Sequence, residues 1–95
     1  MTEAVRIYLK SLINKVYKIL PLKEEDSATI YQYLGGLAVE MQGCYDLHHE
    51  LTESPQFMAA LCVVQYLATE QYDVQTCRRE VFKAINNISY LVEKG

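Results

Sequence analysis

Apolar residues recur at alternating steps of four and three in four successive segments of this chain, and little other than a helical protein can use that spacing. The first segment runs from about Glu3 to Leu20 and carries Val5, Leu9, Leu12, Val16 and Ile19, with Tyr8, Ile13, Tyr17 and Leu20 widening the stripe. Pro21 is expected to end it, because proline disfavours helical geometry at the residue before it. The second segment starts at Asp26 or Ser27, both good N-cap types, and carries Ile30, Leu34, Leu37, Met41 and Cys44. Leu47 and Leu51 continue its apolar face, so one long helix to about Thr52 is favoured over a stop at Gly43, which marks where it can kink. Gly35-Gly36 costs about 1 kcal/mol per glycine mid-helix, and the expected return is close approach of a neighbouring helix.

Ser54-Pro55 is the clearest punctuation, with serine as N-cap and proline in the first turn. Phe57, Leu61, Val64 and Ala68 follow, flanked by Met58, Cys62 and Leu67, in a segment apolar around much of its girth that ends near Gln71. Asp73 caps the last helix, whose stripe is Val74, Cys77, Val81, Ile85, Ile88 and Val92. No Asn-Gly or Asp-Gly hairpin turn occurs. Short connections imply antiparallel neighbours, so the expected fold is all-α, a single domain over residues 1–95 built as an up-down four-helix bundle. A chain of 10.9 kDa should expose roughly 5,600 Å² when folded and bury about 65% of its surface, enough for a core without disulfide or metal.

Charge is segregated along the chain. Residues 1–23 hold five basic side chains and one acid, residues 24–77 hold nine acids and no Lys or Arg, and residues 78–95 return to a small basic excess. In an antiparallel bundle this makes one edge basic, through Arg6, Lys10, Lys18, Arg79 and Lys83. The opposite edge is acidic, through Glu40, Asp46, Glu50, Glu53 and Glu70. One use is internal, with the first helix pairing to the second and the third to the fourth; another is a docking face, since complementary fields set orientation and on-rate. Direct nucleic-acid binding is not expected from a net charge of −3 and a pI near 5.3.

Cys44, Asp46, His48, His49, Glu50 and Glu53 resemble a metal set only in composition: Cys44 with His48, and His49 with Glu53, share helix faces. Cys62 and Cys77 lie elsewhere, and no HExxH or CxxC occurs, so neither metal nor cofactor is expected. All three cysteines lie on or beside apolar stripes and are expected as buried small hydrophobes. No GxxxxGK[ST], GxGxxG or GxSxG is present, and an enzyme is not expected. The odd cysteine count and the absence of a leader or spanning segment suggest a reducing, cytoplasmic setting. Eight tyrosines in a chain with no Trp and two Phe either edge a thin core or supply a protein interface, for which Tyr31, Tyr33 and Tyr66 are the candidates, most simply in a two-fold homodimer.

The runs Lys15-Val16-Tyr17-Lys18-Ile19-Leu20-Pro21-Leu22 and Cys77-Arg78-Arg79-Glu80-Val81-Phe82-Lys83 resemble segments of short uncharacterised helical proteins from phages and mobile elements of Firmicutes. The resemblance implies an accessory protein of a mobile element that inhibits or adapts a host complex, and transfers no site. Three functions follow from these features. The leading one is a non-enzymatic interaction module. Next is an inhibitor or nucleic-acid mimic acting through the acidic edge, and third a helical DNA-binding protein.

Overall fold

The computed structural model describes residues 1–94. Six helical elements follow one another: α1 (Glu3–Tyr17), α2 (Ile19–Glu24), α3 (Ile30–Leu47), α4 (His49–Thr52), α5 (Pro55–Thr69) and α6 (Val74–Lys94). No strand occurs among the described residues. α1 packs on α6, α6 on α5 and α5 on α3, with α2 held between α6 and α3. The accessible surface is 5510 Å², close to the expectation from size. Every position of the first stripe, Val5 through Ile19, is buried.

Pro21 does not end the first helix. The break falls three residues earlier, at Lys18, and Pro21 sits inside the first turn of α2. A straight helix would direct the Pro21 ring at the carbonyl of Tyr17, four residues back, whereas the first turn of a new helix needs no donor there. α2 then closes at Asp26, which stands in the left-handed region with φ 51. The amide of Ser27 donates to the Leu22 carbonyl (3.0 Å) and that of Asp26 to the Lys23 carbonyl (3.1 Å), a Schellman closure. Asp26 and Ser27 therefore finish α2 and do not start α3; the N-cap of α3 is Thr29, which makes no side-chain cap bond.

α3 runs through Gly43 and breaks at His48, whose backbone is extended (φ −112, ψ 111). Seven residues after buried Met41, His48 would face the core of a continuous helix. The break turns it to solvent, leaves Leu47 82% exposed and returns Leu51 to the core through α4. Leu47 thus does not extend the apolar face as expected. Ser54 Oγ accepts from the Phe57 amide at 3.1 Å and fixes the start of α5, which ends at Thr69, two residues short of Gln71. In α6 the buried stripe is Cys77, Val81, Ala84, Ile85, Ile88 and Leu91, and Val74 is exposed at the helix start. Asp73 Oδ1 accepts from the Thr76 amide at 2.7 Å, as a capping residue does.

Candidate docking face

Helix periodicity decides what α3 and α5 show to solvent. With Ile30, Leu34, Leu37 and Met41 turned inward, α3 turns outward Gln32, Gly36, Val39, Gly43 and Leu47, in steps of four and three. Val39 is 74% exposed. With Phe57, Ala60, Leu61, Val64 and Leu67 inward, α5 presents Met58, Ala59, Cys62, Gln65, Tyr66 and Thr69. Gln65 Nε2 donates to Gln42 Oε1 at 3.3 Å across the two helices, so these rows belong to one face. α5 holds no charged residue, and residues 27–39 hold none either. The acids lie at its ends: Asp46 and Glu53 where α3 hands over to α5, and Glu70 beside the start of α3, where the Tyr31 hydroxyl donates to the Glu70 carbonyl (2.9 Å).

The glycines play a different part from the one expected. A Cβ added at Gly35, Gly36 or Gly43 would meet nothing within 4 Å, so no neighbouring helix approaches them. Gly36 instead opens a groove of about 380 Å³ between α1 and α3, lined by Lys15, Lys18, Tyr33 and Glu40 among others. Long polar side chains bridge α1 and α3 here. Lys15 Nζ lies 2.9 Å from Glu40 Oε1, the Tyr8 hydroxyl donates to Glu40 Oε2 (3.1 Å), and the Tyr33 hydroxyl donates to the Lys15 carbonyl (2.6 Å). Burial pushes the Tyr8 and Tyr33 hydroxyls above the usual tyrosine range and keeps them protonated donors.

Two of the three expected interface tyrosines come together. Tyr31 and Tyr66 flank Tyr72, with ring centroids 6.4 Å and 6.0 Å from it, and Lys23 Nζ lies 4.8 Å above the Tyr72 ring. Tyr33 faces α1 instead. Tyr72 was not legible as the organiser, because it sits in a link whose path no helical periodicity fixes.

The charge edges are partly consumed within the chain. Glu40 is neutralised by Lys15, Glu50 Oε2 accepts from the Thr2 amide at 2.8 Å, and Glu53 meets His49 at 3.1 Å. Glu80 takes Arg79 and Lys83, while Arg78 reaches Glu24 of α2 at 2.9 Å. Pairing of the third helix with the fourth does not occur among the described residues, since α5 has no charge to offer. Arg6 and Lys10 remain on α1 with no ion-pair partner among the described residues, while Lys18 lines the groove beside Gly36, at the rim of the uncharged face.

Cysteines follow the same division. Cys77 is buried, which pushes its thiol up and suppresses the thiolate; Cys44 is half-buried, and Cys62 is exposed beside Met58, against expectation. Cys62 falls on the solvent side of α5, one position off the stripe. Among the described residues no three His, Cys, Asp or Glu side chains gather around a common point, and no helix is long and apolar enough to cross a membrane. No protein family, curated protein or solved structure matches the chain, so its function has to be argued from this face and its surroundings.

Proposed function

We propose that the chain is a non-enzymatic helical interaction module, accessory to a phage or mobile element, that docks a protein through the α3–α5 face. The observation that supports this is an outward surface spanning two helices with no charged residue over 54–69 and none over 27–39, on a chain that is 22% charged. Charge depletion at the centre of a patch distinguishes interfaces from ordinary surface better than apolar area does. We read α1, α3, α5 and α6 as the up-down antiparallel bundle, with α2 and α4 as offset extensions of α1 and α3. Cytoplasmic placement and closed two-fold self-association belong to the same reading, the latter as the competing occupant of the face.

A photo-crosslinking residue at Val39 or Cys62, and another at Lys10 on the exposed side of α1, tests it in the native host. The expected result is a discrete adduct from the first two positions and none from the third. Equal adducts from all three, or none, would reject the docking reading. The alternative is an inhibitor that mimics nucleic acid, favoured because Asp46 and Glu70 have no Lys or Arg partner among the described residues. It predicts that duplex DNA displaces the crosslinked protein.

A further inference from the structure

Taking α3–α5 as a docking face, we infer that its occupant is a basic amphipathic helix of a partner protein, laid lengthwise along α3. The middle of the face is uncharged, with Val39 74% exposed near the Gln42–Gln65 bond and Cys62 exposed on α5, while Met58, 38% exposed, lies nearer the Glu53 end. Its ends are acidic, Asp46 and Glu53 at one and Glu70 at the other, and no Lys or Arg lies anywhere between residues 24 and 77. A complementary surface is therefore apolar in the middle and basic at both ends. α3 spans 18 residues, about 27 Å, which a partner helix of about five turns matches. Gly36 and Gly43 are seven residues apart, about 10.5 Å along the axis, and each leaves empty space where a Cβ would stand. Side chains two turns apart on a docked helix have that same separation, so apolar ones can seat on either side of Val39, the one at Gly36 at the rim of the groove that Lys15 and Lys18 line.

A second copy fits this face less well. Any two-fold pairing through it lays acidic ends against acidic ends, whether the two α3 helices run parallel or antiparallel, and like charges facing one another select against the complex. Stacking the basic α1–α6 side of one chain on the α3–α5 face of the next leaves both faces free again, and such contacts run on into an open polymer. A foreign basic helix meets neither obstacle.

The probe is a synthetic peptide of about 18 residues, about five helical turns, with Leu at helical spacing and Lys at both ends. A Glu-for-Lys counterpart and a scrambled Leu/Lys peptide are controls. Each is titrated into the full-length 15N-labelled protein. The expected result is that the Leu/Lys peptide alone moves the amides of Gly36, Val39, Gly43 and Cys62, leaves those of Arg6 and Lys10 in place, and weakens about tenfold from low to high salt. Val39→Lys should weaken it about tenfold or more without lowering the unfolding midpoint, and Asp46→Asn with Glu70→Gln should remove most of the salt dependence. The inference is overturned if the Glu or scrambled peptide binds equally, if the shifts fall on Arg6 and Lys10 of α1, or if Val39→Lys binds as before. It is also overturned if sedimentation equilibrium shows the face closed by a second copy. No peptide binding alongside a Val39 adduct in the host rejects the basic helix and keeps the docking reading; no binding and no adduct rejects both.

Discussion

α3 and α6 bury comparable stripes and treat solvent in opposite ways. α6 buries Cys77, Val81, Ala84, Ile88 and Leu91 and turns out Arg79, Lys83 and Asn86, with Glu80 pairing to its own neighbours. α3 buries Ile30, Leu34, Leu37 and Met41 and turns out Gln32, Gly36, Val39 and Gly43. α6 starts on an aspartate whose side chain caps it, whereas the side chain of Thr29, the N-cap of α3, bonds no helix amide. α6 also exposes Val74, Phe82 and Tyr90, but it sets them among charged side chains and carries no glycine within its span. The exposed choices in α3 lower helix propensity and raise exposed apolar area, and no contact within the chain offsets them. On the proposed reading, a local rule broken without internal compensation marks where this surface serves something outside the molecule.

The sharpest way to break that comparison is to truncate one residue on each side of it. Ile88 is fully buried, so Ile88→Ala should cost about 2–5 kcal/mol through lost transfer energy and the cavity left behind. Val39→Ala should fall within about 0.5 kcal/mol, as exposed substitutions do. Urea midpoints at unchanged slope measure both. A Val39→Ala cost near that of Ile88→Ala would mean that the outward face of α3 is structural and that the docking argument has no basis.

Glycine replacement comes next in size and carries the opposite sign. Gly36→Ala and Gly43→Ala should each stabilise by about 0.4–1 kcal/mol, because alanine fits the helical backbone and restricts the unfolded chain. The two sites are far enough apart for the gains to add. If either substitution destabilises, the glycine answers to a constraint inside the chain after all.

α3 is tied to α1 chiefly by polar side chains, and this bond should be weak. Lys15 and Glu40 are 39% and 37% exposed, so a double-mutant cycle with Lys15→Met and Glu40→Gln should return a coupling of about 0–1 kcal/mol that shrinks with added salt. Coupling well above that would make the α1–α3 seam a structural joint comparable to the α5–α6 seam.

How much of this was legible beforehand varies with the kind of signal. The buried stripes of the first, second and third helices were readable because period 3.6 admits one inward face. The Ser54-Pro55 start was readable because its chemistry is local. Helix ends were misplaced wherever two local signals overlapped. Pro21 reads as a stop but sits in the first turn of the next helix, and the break at His48 is masked by apolar Leu47 and Leu51 on either side. The tyrosine cluster needed the path of the link through Tyr72, which only tertiary packing sets. The uncharged outer surface of α5 was legible as a segment apolar around much of its girth, whereas which outward residues of α3 lie beside it depended on packing. The role given to Gly35 and Gly36 reversed because sequence cannot tell a glycine that admits a neighbour from one that faces open space.

The smallest expected effect concerns the start of α6. The Asp73 carboxylate accepts from the backbone of Thr76, and that bond, helped by the Arg79 charge, holds its pKa below the ordinary value. A group depressed on folding stabilises above its unfolded pKa of about 3.9, and the contribution fades as pH falls through the lower, folded value. The Thr76 amide should therefore keep its hydrogen-bonded chemical shift at pH 4 and lose it only under more acid conditions, with exchange of the first-turn amides of α6 rising in parallel. α3 has no such cap, so its first-turn amides, at Ile30 and Tyr31, should show no corresponding step. An Asp73→Asn variant keeps an oxygen acceptor while removing the charge; it should abolish the acid transition at Thr76 and leave the protection there at neutral pH nearly intact. A Thr76 shift that titrates at the ordinary carboxylate value, or a matching step in α3, would remove the cap from the differences between the two helices and leave only their outward faces to distinguish them.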